Sequence, residues 1–185
     1  MRILAVAAAA ALGLSAAWAL QDRPETMKPQ REHEWLKPFE GDWEVTSKFT
    51  KEGEKTMESK GTETAHLKLG GFWLFFDHKG QHEGKPFEGH GMIGYDPAKR
   101  KYVGVWVDSL SPHWTPFEGE ADAAGKALTL RGKGTDLKTG KECPLRWVLE
   151  SGTQDHRMAR IYKEGEDGKE TLMGEMHYTR KKEAR

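Results

Sequence analysis

The sequence of 185 residues contains a single cysteine, Cys143, and therefore cannot form an internal disulfide bond. It also has no excess of either charge, because 29 acidic residues balance 29 Lys and Arg residues. A balanced chain lacks the positive field that attracts nucleic acid, so we expect no nucleic-acid partner. Cys143 precedes Pro144 at the start of a predicted strand, where a partly buried thiol is expected rather than a reactive one.

Long apolar runs are absent after the first twenty residues. Within those twenty, Arg2 precedes the alanine-rich stretch Ile3–Leu14, and Ala17-Trp18-Ala19 has the small-x-small pattern of a signal-peptide cleavage site. We predict that residues 1–19 are a signal peptide and that the protein is periplasmic or secreted, with no membrane span after cleavage. A membrane anchor is the alternative, but the stretch is borderline against the about 20 apolar residues that a spanning helix needs.

The motifs of common enzyme classes are missing as well. No Gly-x-Ser-x-Gly elbow is present, and no glycine-rich phosphate loop opens a helix. The glycines Gly89, Gly91 and Gly94 match the spacing of the dinucleotide fingerprint, but they lie in a predicted strand with no helix after it. We interpret that match as a coincidence.

What the chain does contain is a period-two pattern of apolar residues that begins at Trp43, interrupted by turn-forming residues and 21 glycines. About ten strands at this spacing are typical of a sandwich or barrel. We predict an all-β fold in which roughly ten strands form a single domain over residues 39–182. Residues 20–38 form a leader and a short helix, Arg31–Lys37, which Pro38 ends. After Trp43, the predicted strands are Thr56–Leu69, Phe72–Phe76, Phe87–Tyr95, Lys101–Asp108, His113–Glu120, Ala127–Thr135, Leu145–Glu150, Arg157–Lys163 and Thr171–Thr179. Phe72–Phe76 is apolar on both faces, which predicts a strand covered on both sides.

Several short motifs, in their order and spacing, resemble one known family. The chain is similar to the bacterial "domain of unknown function 1579" family of calycin-like, lipocalin-type barrels over nearly all of the predicted mature length. The matching stretches are Glu32–Trp43 (EHEWLKPFEGDW), Gly61–Thr64 before Gly70-Gly71, Pro86–Gly89, Gly94–Asp96, Trp106–Ser109, Asp167–Glu170 and Tyr178–Lys181. The chain departs from the family pattern at Arg160, where an acidic residue is expected, so a carboxylate pair there does not carry over.

The resemblance implies that this domain is a single antiparallel, roughly ten-stranded calycin-like barrel, closed or nearly closed, that begins at Gly41-Asp42-Trp43. It implies no activity, because the family has no agreed catalytic residues. Calycin-like barrels often hold a small hydrophobic molecule, which is an analogy at the level of the fold. It also implies that Trp43 stacks near the basic residue Arg180 of the last strand and so closes one end of the barrel.

Polar and aromatic residues within strands are the candidates for a ligand-binding interior, since a buried polar group needs a partner. In Lys101–Asp108, either Trp106 and Asp108 face inward or the alternating valines do, and we favour Trp106 and Asp108. A solvated outer face is the alternative for each candidate glutamate. The predicted ligand-binding residues are Glu63, Trp73, Glu88, Trp106, Asp108, Glu118, Glu175 and His177, and Trp114 and Trp147 are further aromatic candidates.

Two other functions remain open from the sequence. The chain could be a haem-dependent or cofactor-free enzyme that uses Asp108, Glu175 and His177 in one cavity, with His156 or His177 as a haem ligand. It could also be a protein-interaction module. We expect no cofactor, with haem as the exception, and no metal site, although His78, His82 and His90 lie close to Asp77 in sequence. The oligomeric state is left open.

Overall fold

The computed structural model describes residues 27–50, 56–136, 139–165 and 167–182, so the predicted signal peptide lies outside the described residues. The all-β prediction is confirmed. A short helix α1 (Arg31–Glu34) and a 3₁₀ turn (Lys37–Phe39) precede the strands, and a second 3₁₀ turn (Leu69–Gly71) joins β2 to β3. The strands are β1 (Gly41–Phe49), β2 (Met57–Lys68), β3 (Trp73–His82), β4 (Lys85–Asp96), β5 (Lys101–Asp108), β6 (Ser111–Ala121), β7 (Ala127–Thr135), β8 (Glu142–Glu150), β9 (His156–Glu164) and β10 (Glu170–Arg180).

The ten described strands form one closed antiparallel barrel in which each strand pairs with the next along the chain. The ring closes where β1 pairs with β10, from Trp43–Arg180 to Phe49–Gly174. Closure gives every strand two neighbours, which removes the exposed edges that an open sheet presents. Because neighbouring strands run in opposite directions, the turns between them alternate between the two rims of the barrel. One rim also carries α1, and we call the opposite rim, which includes the turn between β3 and β4, the rim of hairpin turns.

The N-terminal residues cover one end of the barrel. Leu36 and Phe39 are buried there, and the Trp43 indole donates a hydrogen bond of 3.1 Å to the Phe39 carbonyl. The helix is shorter than the predicted Arg31–Lys37: it ends at Glu34, and Lys37 and Pro38 belong to the 3₁₀ turn, where the missing N–H of Pro38 breaks no α-helical hydrogen bond. A helix of four residues is unstable alone, so its contacts with the barrel hold it in place. Within the described residues, no helix is long and apolar enough to cross a bilayer.

Strand β5 decides the orientation that the sequence left open. Trp106 pairs with Gly91 of β4, and Asp108 pairs with Gly89. These two glycines lie on the same face of β4 as the buried Ile93, which is the inner face. The alternating valines therefore face outward, and Val107 is 41% exposed. The preference for Trp106 and Asp108 inside is confirmed.

Strand β3 differs from the prediction of a short strand covered on both sides. It extends to His82, and only its Leu74, Phe76 and His78 face is buried. Trp73 and Phe75 lie on the outer face, where the Lys68 ammonium is 5.3 Å from the Phe75 ring centre. A single-walled barrel has no second layer, so neighbouring side chains shield these rings only in part.

The glycines that mimic a dinucleotide fingerprint have a role in this wall. A Cβ atom at Gly89 or Gly91 would overlap the ring of Trp106 or Phe76, respectively. The missing side chains let these inward aromatic rings lie flat against β4. The interpretation of the motif as a coincidence agrees with its place inside β4.

Candidate functional site

One lateral row of paired residues carries several of the polar groups of the interior. Adjacent strands bring together, in order, Arg180, Trp43, Glu63, His78, Gly89 and Asp108. Cross-strand partners have their side chains on the same face, so the row runs from the helix-covered end toward the rim of hairpin turns. Four of the residues predicted for the interior or for barrel closure lie in this row, together with His78.

Glu63 is the centre of a buried polar cluster. Its carboxylate accepts a hydrogen bond from the Arg157 guanidinium and lies 3.7 Å from the His78 Nδ1 atom. Glu63, His78 and Arg157 are 5%, 8% and 8% exposed. Burial alone would raise the pKa of Glu63, but the Arg157 and His78 side chains outweigh it and hold the pKa below its ordinary value. The carboxylate is therefore ionised and paired inside the barrel.

Arg157 is enclosed by aromatic rings as well. Its guanidinium carbon lies 4.0 Å from the Tyr178 ring centre, 4.6 Å from that of Trp43 and 5.2 Å from that of Phe39. Its Nε atom is buried and has no hydrogen-bond partner among the described residues. Burial and the nearby Glu63 carboxylate raise the pKa of Tyr178. The cluster is thus a buried ion pair whose guanidinium group is enclosed by three aromatic rings.

The expected contact between the opening tryptophan and the last strand is confirmed. The Arg180 guanidinium carbon lies 4.1 Å from the Trp43 ring centre, and its Nη1 donates to the Glu40 carbonyl at 2.7 Å. Gly41 adopts φ +122°, and a Cβ there would collide with the guanidinium of Arg180. Glycine is required at this position by both backbone and space.

A group of aromatic side chains covers another part of the interior. Trp106 stacks on Phe76 at 5.9 Å and contacts Trp147 edge-on at 5.8 Å, while Phe117 lies 5.0 Å from Trp147. The Trp106 indole donates to the Asp108 carboxylate at 2.9 Å. The Trp147 Nε1 atom is buried without a partner in the described part of the chain. This wall combines apolar rings with one unused hydrogen-bond donor.

The two ends of the interior differ in how well they are filled. Near the helix-covered end, Leu36, Phe39 and Trp43 are at most 2% exposed. Toward the other rim, many inward side chains are only half-buried. A pocket of about 380 Å³ lies at this rim, lined by Phe49, Met57, Glu58, Ser59, Gln81, His82, Glu83 and Gly84. Its volume falls in the lower part of the range for small-molecule sites.

The structure places five of the predicted ligand-binding residues on the outer wall. This corrects their expected inward position: on β10, for example, Met176 and Tyr178 face the interior, so the alternating Glu175 and His177 face outward. Their larger apolar neighbours fill the core more favourably. The five outer-wall residues are Trp73, Glu88, Glu118, Glu175 and His177, and the exposed Trp114 lies outside as well.

The outer-wall carboxylates have ion-pair partners there. Glu175 accepts hydrogen bonds from His177 at 2.7 Å and from Arg160 at 2.9 Å, and these partners lower its pKa. Glu118 pairs with Lys101 at 2.6 Å. These contacts link neighbouring strands from the outside, as expected for solvated strand faces.

The enzyme alternative needs Asp108, Glu175 and His177 in one cavity, and the structure does not bring them together. Strands β5 and β10 are five positions apart in a ring of ten, so they lie on opposite sides of the barrel. Asp108 lies on the inner face and the other two on the outer face. General acid-base catalysis would require all three side chains to reach one substrate by hydrogen bonds, and their positions on opposite sides and faces of the wall exclude this.

The histidines are divided between the two faces in the same way. His78 and His82 lie inside on β3, whereas His90 faces outward and pairs with Asp77 at 2.5 Å. His156 and His177 are exposed on the outer face, so neither reaches the interior as a haem ligand. Among the described residues, no group of three or more His, Cys, Asp or Glu side chains is arranged to hold a metal ion.

Sequence reasoning missed the main polar partners of Glu63. On β9, Arg157 alternates with Met158, so either residue could have faced inward, and Tyr178 has the same ambiguity beside His177. The expected pairing of Trp43 with Arg180 could have resolved this ambiguity for Tyr178. If Arg180 lies on the inner face of β10, Tyr178, two residues earlier, lies on the same face.

Cys143 is buried, and burial raises the pKa of its thiol, in agreement with the expected unreactive cysteine.

The model of the family described as "Protein of unknown function (DUF1579)" matches residues 28–180. The chain belongs to this family. The match covers all ten strands and the helix that precedes them, so the resemblance stated from the sequence motifs is confirmed. No curated protein matches the sequence at a significant level.

Solved structures show the same type of barrel at low sequence identity. Rv2717c from M. tuberculosis superposes with a TM-score of 0.62 at 14% identity, covering 83% of this chain and 99% of the other. The S-type phycobiliprotein lyase CPES from Guillardia theta gives a TM-score of 0.57 at 13% identity, covering 84% and 100%. At this level of identity the likeness establishes the fold and leaves the function to the site itself.

Proposed function

We propose that this protein is an exported barrel that binds a small, largely apolar molecule in its interior. The observation that carries the proposal is the contrast between the two ends of the barrel. The helix-covered end is filled by buried side chains, whereas the opposite rim has half-buried inward side chains and a pocket of about 380 Å³. A barrel that served only as a rigid module would gain stability by filling this space.

The chemistry of the walls favours an apolar ligand with a few polar atoms. Trp106 and Trp147 present half-buried ring surface, and the Asp108 carboxylate offers a hydrogen-bond acceptor. Such a surface, mostly aromatic with a small number of fixed polar groups, is typical of small-molecule sites. Export rests on the predicted signal peptide over residues 1–19, which the sequence pattern supports.

A fluorescence titration with 1-anilinonaphthalene-8-sulfonate tests interior binding. We expect saturable binding of one probe per chain, and we expect Trp106→Phe to weaken it by about threefold or more because part of the aromatic wall is lost. Trp114→Phe is the matched control, because Trp114 is 67% exposed on the outer wall. Equal loss in both variants, or binding without saturation, would contradict the proposal.

A further inference from the structure

The barrel wall is split between β2 and β3 at the rim of hairpin turns. The two strands pair from Lys68–Trp73 only as far as Thr62–Lys79. Beyond that point Met57 to Gly61 still pair with β1, and Gly80 to His82 still pair with β4. The split therefore separates two intact hairpins, β1–β2 and β3–β4, rather than marking frayed strands.

The pocket of about 380 Å³ occupies this split. One side is lined by Phe49, Met57 and Ser59, from the first hairpin, and the other by Gln81 and His82, from the second. The cross-strand phase places Phe49, Met57 and His82 on the inner face. The pocket thus combines apolar side chains of the interior with an opening in the wall, which gives a lateral route into the barrel.

His78 lies directly beneath the split. A Cβ atom built on Gly80 would be 3.2 Å from the His78 Nε2 atom, and one built on Gly61 would be 3.3 Å from it. The two glycines therefore make room for the imidazole, as Gly89 and Gly91 do for aromatic rings. The Phe87 ring lies 5.8 Å from the imidazole on the same inner face. Nε2 lies against Gly61 and Gly80, where the pairing of β2 with β3 has stopped, while Nδ1 faces the buried Glu63 carboxylate.

The partner of Nδ1 determines what Nε2 can bind. The ionised Glu63 carboxylate, 3.7 Å away, favours the tautomer that carries its proton on Nδ1. In the neutral imidazole the other nitrogen is then a hydrogen-bond acceptor. The group that fits against Nε2 is accordingly a donor on the ligand, and the inward Phe49 and Met57 side chains of the pocket favour an apolar body for the rest of that ligand.

We propose that the split between β2 and β3 is the ligand portal, and that His78 Nε2 accepts a hydrogen bond from the hydroxyl group of an otherwise apolar ligand. This inference rests on the proposed function, since it names the route and the polar group of the same interior ligand. It assigns Glu63 and Arg157 the role of positioning residues, because they hold the imidazole without reaching the pocket.

A matched pair of fluorescent probes, naphthalene and 2-naphthol, tests the hydroxyl contact. The probes differ only in one hydroxyl, so their affinity ratio reports that group. We expect 2-naphthol to bind about fivefold more tightly, as one neutral hydrogen bond provides. His78→Phe should abolish this preference while naphthalene still binds. His90→Phe should keep it, because His90 lies on the outer wall.

Gly80→Val tests the portal itself. A Cβ atom on Gly80 would meet backbone atoms only at 3.7 Å but the His78 Nε2 atom at 3.2 Å, so the new side chain covers this nitrogen and the imidazole shifts by a few tenths of an ångström. We expect weaker binding of both probes by about tenfold or more in a variant that still folds, as a cooperative thermal unfolding transition shows. Gly61 is unsuitable for this test, because a Cβ there would collide with the Lys79 carbonyl oxygen.

The outcomes separate this inference from the proposed function. If both probes bind but neither His78→Phe nor Gly80→Val changes their affinities or their ratio, the portal is wrong and interior binding stands. If wild-type protein binds neither probe nor the anilinonaphthalene dye, the proposed function fails and the portal with it.

Discussion

Among single residues, the Glu63 carboxylate is the one on which the polar interior most depends. It is the ionised partner of the buried Arg157 and faces the imidazole of His78. We predict that Glu63→Gln lowers the free energy of unfolding by about 3–5 kcal/mol at pH 7, because it leaves the Arg157 charge buried without a counter-charge. Urea unfolding followed by tryptophan fluorescence measures this loss.

Glu118→Gln is the control for that substitution. Glu118 and its partner Lys101 form an ion pair on the outer wall, where solvent screens the charges and the loss of one partner costs much less than in the interior. A similar loss in both variants would show that the interior pair contributes no more than a solvated one, which would contradict the role given to Glu63.

The same carboxylate predicts a pH dependence. The pKa of Glu63 is lower in the folded protein than its ordinary value of 4.5. Its contribution to stability is therefore fully present above about pH 4.5 and is lost as the pH falls through the folded pKa. We expect the difference in unfolding free energy between wild type and Glu63→Gln to shrink below pH 4.5. A difference that stays constant from pH 7 to pH 3 would argue against an ionised, paired Glu63.

In the strands, backbone contacts at inward glycines decide how closely neighbouring elements approach. A Cβ on Gly104 of β5 would collide with the Met92 carbonyl oxygen and the Phe117 ring, neither of which can move freely. We predict that Gly104→Ala lowers the free energy of unfolding by about 1–3 kcal/mol. Gly140→Ala is the comparison: no atom lies within 4 Å and only its φ of +69° opposes a side chain, at a cost near 1 kcal/mol. Thermal unfolding by circular dichroism ranks the two, and a smaller loss at Gly104 would contradict this account.

The strands were largely predictable, whereas their inner faces were not. Period-two patterns and turn residues located the strands, because half-buried strands alternate polar and apolar residues. On β10, however, Glu175 and His177 alternate with Met176 and Tyr178, and either pair could face inward from composition alone. The register with β1 resolves the phase, and register depends on contacts between residues more than 100 positions apart in the chain.

Closure of the whole barrel depends on contacts between the first and the last strand. Arg180 stacks on Trp43 and donates to the carbonyl oxygens of Pro38, Glu40 and Gln154. We predict that Arg180→Ala lowers the free energy of unfolding by about 2 kcal/mol, since it removes both the cation–π contact and these hydrogen bonds. Lys181→Ala, one residue further along and exposed, should change it by less than about 0.5 kcal/mol. Equal effects in a urea titration would refute the closing role of Arg180.

This contact was predictable from the sequence, because the family resemblance placed a tryptophan at the start of the barrel and a basic residue at its end. The split between β2 and β3 was not. Both strands continue past the point where their pairing stops, so the sequence pattern of each strand is unbroken across it. Only the three-dimensional register shows that the wall opens above His78.

The central claim, that the interior holds a small and largely apolar molecule, is tested most directly by native mass spectrometry on protein purified from the periplasm without refolding. We predict a mass above that of the bare chain, which disappears on denaturation and releases one small molecule carrying a hydroxyl group. A mass equal to that of the polypeptide alone, in protein that also fails to bind the naphthalene probes, would contradict the claim.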